Sequence, residues 1–378
     1  MRILLINYEY PPVGGGGGIA SQKLAEEYVR QGHVVDCVTT GFENLPAKEN
    51  VNGVNIHRIK VFGAREKNAA GLLSLLSFPI CAYGQTKKLC NENEYDVIDT
   101  HFAVPTGPLG VWMSKSKQIP LNLFIYGGDI YDPSKKFSPH RWVLLRYVVN
   151  YVLNNSNRVI AESADIMQKT EFYYKCKHSI EVIPVAYNTV SFKVISRKEL
   201  NLSEEKRYLI SGGRFVRRKD FGTLIRVLTA LTSENVEILL FGDGPERGNL
   251  TELAAQLGVI NKVHFLGFIS DEEKFQYLNV SDIYVLSSLH EGFGIVLQEA
   301  MQVGLPLIAT NYGGQVDLVE DGENGFLVDV GDYEAIAEKV SLLLHDSSLT
   351  GKFKRANIER VKQYSAKSIV RQILGDKL

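Results

Sequence analysis

The chain has 378 residues, 45% hydrophobic and 22% charged, which is ordinary for a water-soluble globular protein and long enough for two cores. A formal net charge of −1 argues against a general nucleic-acid binder. Four scattered cysteines (Cys37, Cys81, Cys90, Cys176) exclude a disulfide scaffold and a zinc cluster, and no stretch approaches the roughly 20 apolar residues of a membrane span.

Strand, turn and helix alternate along the chain. Met1–Ile6 is apolar for too few residues to be a secretory signal, and Ile3–Ile6 reads as a first buried strand. Pro11–Gly18 reads as a loop and Ala20–Gln31 as a helix ended by Gly32. Strands follow at Val34–Thr39, Tyr95–His101, Leu121–Tyr126 and Arg158–Ala161. The pattern then restarts. Tyr208–Gly213 is a strand and turn, Thr223–Leu231 a helix, and Val236–Phe241 a strand closed by Gly242-Asp243-Gly244-Pro245. Val263–Leu266, Ile283–Leu286, Leu307–Ala309 and Phe326–Val328 complete a second set. This alternation predicts an α/β protein of two Rossmann-like, doubly wound domains, with parallel sheets wrapped by helices and a boundary near 184–192. A ligand site is expected between the two sheets.

The run His290-Glu291-Gly292-Phe293-Gly294-Ile295-Val296-Leu297-Gln298-Glu299 sets two carboxylates eight positions apart, with glycines between. Glu291 falls in a loop after a strand and Glu299 on the following helix, so both can face one cleft at the carboxyl end of the sheet. The turn glycines admit close approach, and the helix start offers free N–H groups to an anion. A phosphorylated, hydroxyl-rich ligand fits this set; so does a surface helix with two solvated glutamates. At Gly212-Gly213-Arg214-Phe215-Val216-Arg217-Arg218-Lys219, Arg214 and Lys219 suit the neutralisation of a diphosphate leaving group, while Arg217 and Arg218 read as solvated.

Three further segments carry open readings. The run Gly14–Gly18 lacks a Walker signature and reads as a mobile loop closing over phosphate or sugar through Gly15, Gly16 and Gly17, or as a bland flexible loop. Asn311–Gln315 either lines a cleft or forms a tight turn. The apolar stretch Gly71–Phe78, flanked by Arg58, Lys60, Arg65, Lys67, Lys87 and Lys88, is either an interfacial patch touching an anionic membrane, an acceptor-binding surface, or a helix packed on the sheet.

Together these residues resemble the retaining glycosyltransferases of the large GT4 family, which have the two-domain GT-B fold. The resemblance spans nearly the whole chain. It rests on Ser287–Gly294 with Glu299-Ala300-Met301, on Gly304-Leu305-Pro306, Gly313-Gly314 and Asp321–Gly325, on Gly213-Arg214…Lys219, and on the glycine-rich loop after the first strand. It implies a nucleotide-diphosphate sugar as donor, UDP-linked first and GDP-mannose next, and no cofactor or metal, in keeping with the missing DxD motif. It implies that Arg214 and Lys219 hold the diphosphate and that Glu299 binds the ribose. Glu291 would touch the donor sugar beside the amides of Gly292, Phe293, Gly294 and Ile295, and Phe268 and Ile269 would border the base. The acceptor would be a glycan or a lipid-linked molecule bound by residues 1–185, the donor would bind residues 186–352, and residues 353–378 would form a helix crossing back to the first domain. A cytoplasmic enzyme, peripheral at the inner membrane face, is expected.

The sequence departs from that pattern at three places. Tyr126 in Tyr126-Gly127-Gly128-Asp129 stands where relatives carry a histidine, which puts the role of the position in doubt. His101, at the preceding strand end, reads as compensating for it or as structural. Ile183–Asn188 replaces Pro-Asn-Gly, and Asp317 replaces a glutamate. Two other classes fit the same residues: a GT-B-shaped nucleotide-sugar epimerase, which would need no acceptor, and a non-catalytic donor-binding subunit.

Overall fold

The computed structural model describes residues 1–63, 65–66, 69–133, 137–231 and 235–375, and leaves the side chains of 65–66, 69–70 and 72 undescribed. Lys67 and the side chain of Arg65 therefore lie outside the described residues. The chain forms two compact units, Met1–Asn188 with Ser365–Leu378, and Thr189–Tyr364.

In the first unit the strands are β1 (Arg2–Ile6), β2 (Val34–Thr40), β3 (Lys48–Val51), β4 (Val54–Ile59), β5 (Val97–His101), β6 (Leu121–Ile125), β7 (Arg158–Ala161) and β8 (Ile180–Val182). They line up as β8-β7-β6-β5-β1-β2-β4-β3, all parallel except the hairpin β3–β4. β1 is central because Ile3–Ile6 is apolar on both faces, as a strand covered on both sides must be. Its neighbours are β2 and β5, so the strand order turns at β1, and ligand crevices in such sheets lie beyond the carboxyl ends at that point. The hairpin was not read from the sequence. Its turn residues Asn52 and Gly53 both have positive φ, 51° and 85°, which matches the twist of a tight hairpin.

Helix α1 (Gly16–Arg30) corrects the reading of the glycine run: its last three glycines form the first helical turn. The Glu9 carboxylate accepts the Gly15 N–H at 2.9 Å, and a Cβ on Gly17 would come within 2.2 Å of the Phe102 ring. α1 packs against a helix from the far end of the chain, Ala366–Leu374, whose Ala366, Ile369, Val370 and Ile373 form one buried stripe. The Arg158 guanidinium holds the Ile373 carbonyl at 2.5 Å and Glu181 at 2.7 Å.

Asp99 on β5 is fully buried, with the Tyr28 hydroxyl donating at 2.8 Å and the Asn122 amide at 2.9 Å. Burial pushes its carboxyl from 3.8 up to about 6, against the pull of those two donors. Between about pH 4 and 6 the folded state keeps a proton that the unfolded chain has lost, so stability present below pH 4 is lost as pH rises through 6. Asp99→Asn is expected to flatten that slope, worth about 3 kcal/mol. Chemical denaturation at pH 4, 5, 6 and 7 measures it, and an unchanged slope would place the titration elsewhere.

The second unit orders its strands β11-β10-β9-β12-β13-β14, all parallel, where β9 is Arg207–Gly212, β10 Val236–Phe241, β11 Val263–Gly267, β12 Ile283–Leu286, β13 Leu307–Thr310 and β14 Gly325–Val328. The helix Ser347–Arg360 packs in this unit. Its Asn357 donates to the Leu305 and Asn324 carbonyls at 2.7 and 2.9 Å, and Phe353 joins the core. Residues 353–364, grouped above with the crossing helix, thus divide from 366–374, because Phe353 and Asn357 bury here. Asn324, within the motif Asp321–Gly325, accepts from Asn357 and donates back to it at 2.8 Å, so its part is structural.

Candidate functional site

At the carboxyl end of the second sheet two loops zip together. One is the turn after β9 that carries Arg214 to Lys219; the other, after β12, carries Ser287 to Glu291. Leu289 N–H donates to the Arg218 carbonyl at 2.7 Å, and the Ser287 hydroxyl donates to the Lys219 carbonyl at 3.2 Å. The pairing brings Lys219 Nζ to 2.5 Å from Glu291 Oε1 and Arg218 Nη1 to 2.7 Å from Glu291 Oε2, while the Ser288 hydroxyl donates to Oε1 at 2.6 Å. Both Glu291 and Lys219 are buried. Burial alone would raise the Glu291 carboxyl; Lys219 and Arg218 more than reverse this and hold it well below the usual carboxylate range. Burial lowers the Lys219 ammonium, opposed by Glu291 and reinforced by Arg218. Arg218, read from sequence as solvated, is therefore a member of the cluster. Arg217 is the solvated one, with 88% of its side chain exposed. Arg214 stands exposed two residues past the β9 end.

The segment Asn311–Gln315 forms a turn packed directly against the Glu291 backbone. Gly314 N–H donates to the Glu291 carbonyl at 2.8 Å. Gly313 has φ +96°, and a Cβ there would meet the Glu291 carbonyl oxygen at 2.8 Å and its nitrogen at 3.0 Å, so only glycine fits. Helix Ile295–Gln302 starts after Gly294, and Phe293 turns its ring inward against Tyr364. Glu299, on that helix, pairs with Lys274 at 2.7 Å. Phe268 is 75% exposed just past β11, and Ile269 is half-buried.

In the first unit the carboxyl ends of β1, β5 and β6 carry a separate polar and aromatic group. Tyr8, Phe102 and Tyr126 pack ring on ring at 4.9 and 4.7 Å. Asp129 fastens two loops, accepting the Ala103 N–H at 2.5 Å and the Tyr126 N–H at 2.8 Å. His101 lies behind Tyr126, its Nδ1 at 2.7 Å from the phenol oxygen. It has no exposed surface, and burial lowers its imidazole to about 3, so it is neutral near pH 7. In this structure His101 thus presents no surface of its own, and its hydrogen bond at this end of the sheet is with the Tyr126 hydroxyl. Its Nε2 finds no hydrogen-bond partner among the described residues. The tautomer that leaves no orphaned N–H carries the proton on Nδ1 and donates it to Tyr126, which frees the Tyr126 hydroxyl hydrogen for another acceptor.

The apolar segment near residue 72 is a helix packed on the sheet that also shows an apolar outer stripe. Within Leu72–Glu92, Phe78, Ala82 and Leu89 face inward, whereas Leu73, Leu76, Ile80 (70% exposed) and Tyr83 face outward. The helix Gly107–Lys117 packs against it and against the helix Val143–Leu153. These two add exposed Trp112, Val143, Leu144 and Tyr147. Over 72–92, 107–117 and 137–154 the cations are Lys87, Lys88, Lys115, Lys117, Arg141 and Arg146, against one carboxylate, Glu92. Among the described residues no helix is long and apolar enough to cross a membrane, and no cluster of metal-ligating side chains occurs.

Comparison with known proteins is consistent along the chain. Residues 193–360 match the family described as glycosyl transferases group 1, and residues 14–190 match glycosyltransferase family 4. The chain is 26% identical to the N-acetyl-alpha-D-glucosaminyl L-malate synthase of Bacillus anthracis, over 96% of this chain and 93% of that one. Its fold matches sucrose-phosphate synthase from Thermosynechococcus elongatus with a TM-score of 0.86 at 24% identity, over 98% and 97% of the two chains. It also matches Anabaena HepE in complex with UDP and glucose, with a TM-score of 0.79 at 23% identity over 99% and 98%. The architecture is GT-B.

Proposed function

The chain belongs to glycosyltransferase family 4, and from that premise we propose that it moves a hexosyl group from a UDP-sugar, with GDP-mannose as the next donor, to a hydroxyl of a lipid-linked or glycan acceptor, with retention and without a metal. The observation that carries this reading is the cluster of buried Lys219 and Glu291 with half-buried Arg218. Its cations outnumber its carboxylate, as a site for a diphosphate requires. HepE, a structural neighbour, holds UDP, which supports the choice of base.

In this scheme Arg214 and Lys219 bind the donor diphosphate, Glu299 accepts from the ribose, and the amides of Gly292–Ile295 sit beside the donor sugar. Phe268 and Ile269 border the base, and the Tyr126 hydroxyl donates to substrate where relatives use a histidine. Both oxygens of Glu291 already accept from Lys219, Ser288 and Arg218, so this carboxylate is a poor nucleophile. Front-face attack fits that constraint. The bond from C1 to the diphosphate oxygen breaks, the acceptor oxygen bonds C1 on the same face, and its proton passes to the leaving phosphate. Calorimetry with UDP, GDP and ADP tests the donor site: one nucleotide is expected to bind at micromolar strength, and failure of all three with folded protein would refute it. The anomeric configuration of the product by NMR tests retention, and turnover in excess EDTA tests metal independence.

The outer face of the three helices 72–92, 107–117 and 143–153 supports peripheral contact with an anionic bilayer at the cytoplasmic side. Apolar side chains there would enter the headgroup region, and the surplus of cations would add attraction. Cosedimentation with phosphatidylglycerol-containing vesicles is expected to fall about tenfold in Leu76→Ser/Ile80→Ser, in line with lost apolar burial. Equal binding to zwitterionic vesicles, or no change in the variant, would refute this contact.

A further inference from the structure

Lys274 is the cation that sequence reading passed over. It lies one turn into the helix Asp271–Val280, which begins directly after Phe268, Ile269 and Ser270. That helix start is firmly built: the Ser270 hydroxyl accepts the Glu273 N–H at 3.2 Å, and the Glu273 carboxylate accepts the Ser270 N–H at 2.8 Å. Phe275, next to Lys274, is fully buried and stacks on Phe192 at 5.5 Å, so the helix cannot roll freely. From this anchored base Lys274 reaches Glu299 Oε1 at 2.7 Å and Asp271 Oδ1 at 2.9 Å. Only 14% of the Lys274 side chain and 13% of the Glu299 side chain are exposed. A pair this shielded is not a solvated surface bridge, and its geometry is held.

Resting on the reading that Glu299 binds the donor ribose, we infer that Lys274 is a positioning residue for nucleotide recognition. It fixes the Glu299 carboxylate by one oxygen and leaves Oε2, which accepts no hydrogen bond from the described residues, for the ribose hydroxyls. Because Lys274 rides on the helix that follows Phe268 and Ile269, it also ties the base-side segment to the ribose-side carboxylate. Base and ribose are then recognised by one connected unit. A site built to accept hydrogen bonds from hydroxyls discriminates strongly against analogues that lack them. Lys274 would sharpen that discrimination without touching the reacting atoms.

The test is calorimetric binding of UDP and 2′-deoxy-UDP to the full chain and to Lys274→Met, Lys274→Arg, Glu299→Gln and the double variant Lys274→Met/Glu299→Gln. Lys274→Gln replaces the methionine variant if that one unfolds. Lys274→Met is expected to weaken UDP about tenfold, to bring the ratio of the two affinities toward that of Glu299→Gln, and to raise the donor KM with kcat changed less than about twofold. Lys274→Arg should recover part of the ratio, and the double variant should be no weaker than Glu299→Gln alone. A Lys274→Met protein that discriminates like wild type beside a collapsed Glu299→Gln overturns the lysine's role while sparing the ribose site. Full additivity in the double variant does the same. Unchanged discrimination in Glu299→Gln overturns the ribose reading and the inference together.

Discussion

Lys219→Ala is expected to lower kcat/KM by about 10²–10³-fold, the range seen when one preorganised electrostatic contact to a developing anion is removed. Lys219 is buried, so its charge acts through protein rather than water and is worth more than an exposed lysine's. The loss should fall on phosphate: UDP binding weakens strongly while uridine binding stays within about twofold. The fold should survive, because Glu291 keeps Arg218 at 2.7 Å and Ser288 at 2.6 Å. Lys219→Arg should not restore activity, since a planar guanidinium spreads its charge over a fork and does not reproduce the point charge that the ammonium holds at 2.5 Å from Glu291 Oε1. Steady-state kinetics with paired UDP and uridine calorimetry decide the matter. Equal weakening of both ligands would remove Lys219 from the phosphate.

The strands around the site were legible because each is a short apolar run closed by a turn, the pattern of a parallel sheet covered on both faces. Arg158–Ala161, Val236–Phe241 and Ile283–Leu286 have the bounds read from sequence. The hairpin Lys48–Ile59 was missed because its edge strand Lys48-Glu49-Asn50-Val51 is polar and mostly exposed, although Asn52-Gly53 signals such a turn. The start of α1 was missed for the opposite reason. Glycine is a poor helix former, and the local pattern shows neither the Glu9 carboxylate that accepts the Gly15 N–H nor the Phe102 ring that leaves no room for a side chain at Gly17.

The ion pairs were legible only in part. Glu291 and Lys219 could be named because each lies in a local motif. What joins them is a contact across 72 positions, and the partner that completes it, Arg218, lies 73 positions from Glu291. Lys274 and Glu299 are 25 apart with a strand between them. No local period reports such distances. The same limit applies to His101: its strand-end position could be read from the sequence, its full burial behind Tyr126 could not.

Glu291→Gln is expected to separate stability and turnover from nucleotide affinity. The substitution keeps shape and removes charge. An amide can offer its oxygen to one cation, but its NH₂ must then face the other, leaving Lys219 and Arg218 close together with no anion between them. Breaking a buried pair in this way costs about 3–5 kcal/mol, so the apo protein should melt well below wild type. The pH sign follows from the depressed carboxyl. Its contribution is present above the unfolded glutamate value of about 4.3 and is lost as pH falls below that, so the acid limb of the stability curve should shrink in the variant. A diphosphate can supply the missing negative charge. UDP should therefore bind Glu291→Gln at least as tightly as wild type and raise its melting temperature by more. Turnover should nevertheless fall about 10²-fold, because Lys219 is no longer held in place. Thermal unfolding from pH 3 to 7 with and without UDP, beside kcat, reads all three effects. A variant that loses UDP affinity in proportion to kcat would mean that Glu291 serves donor binding alone.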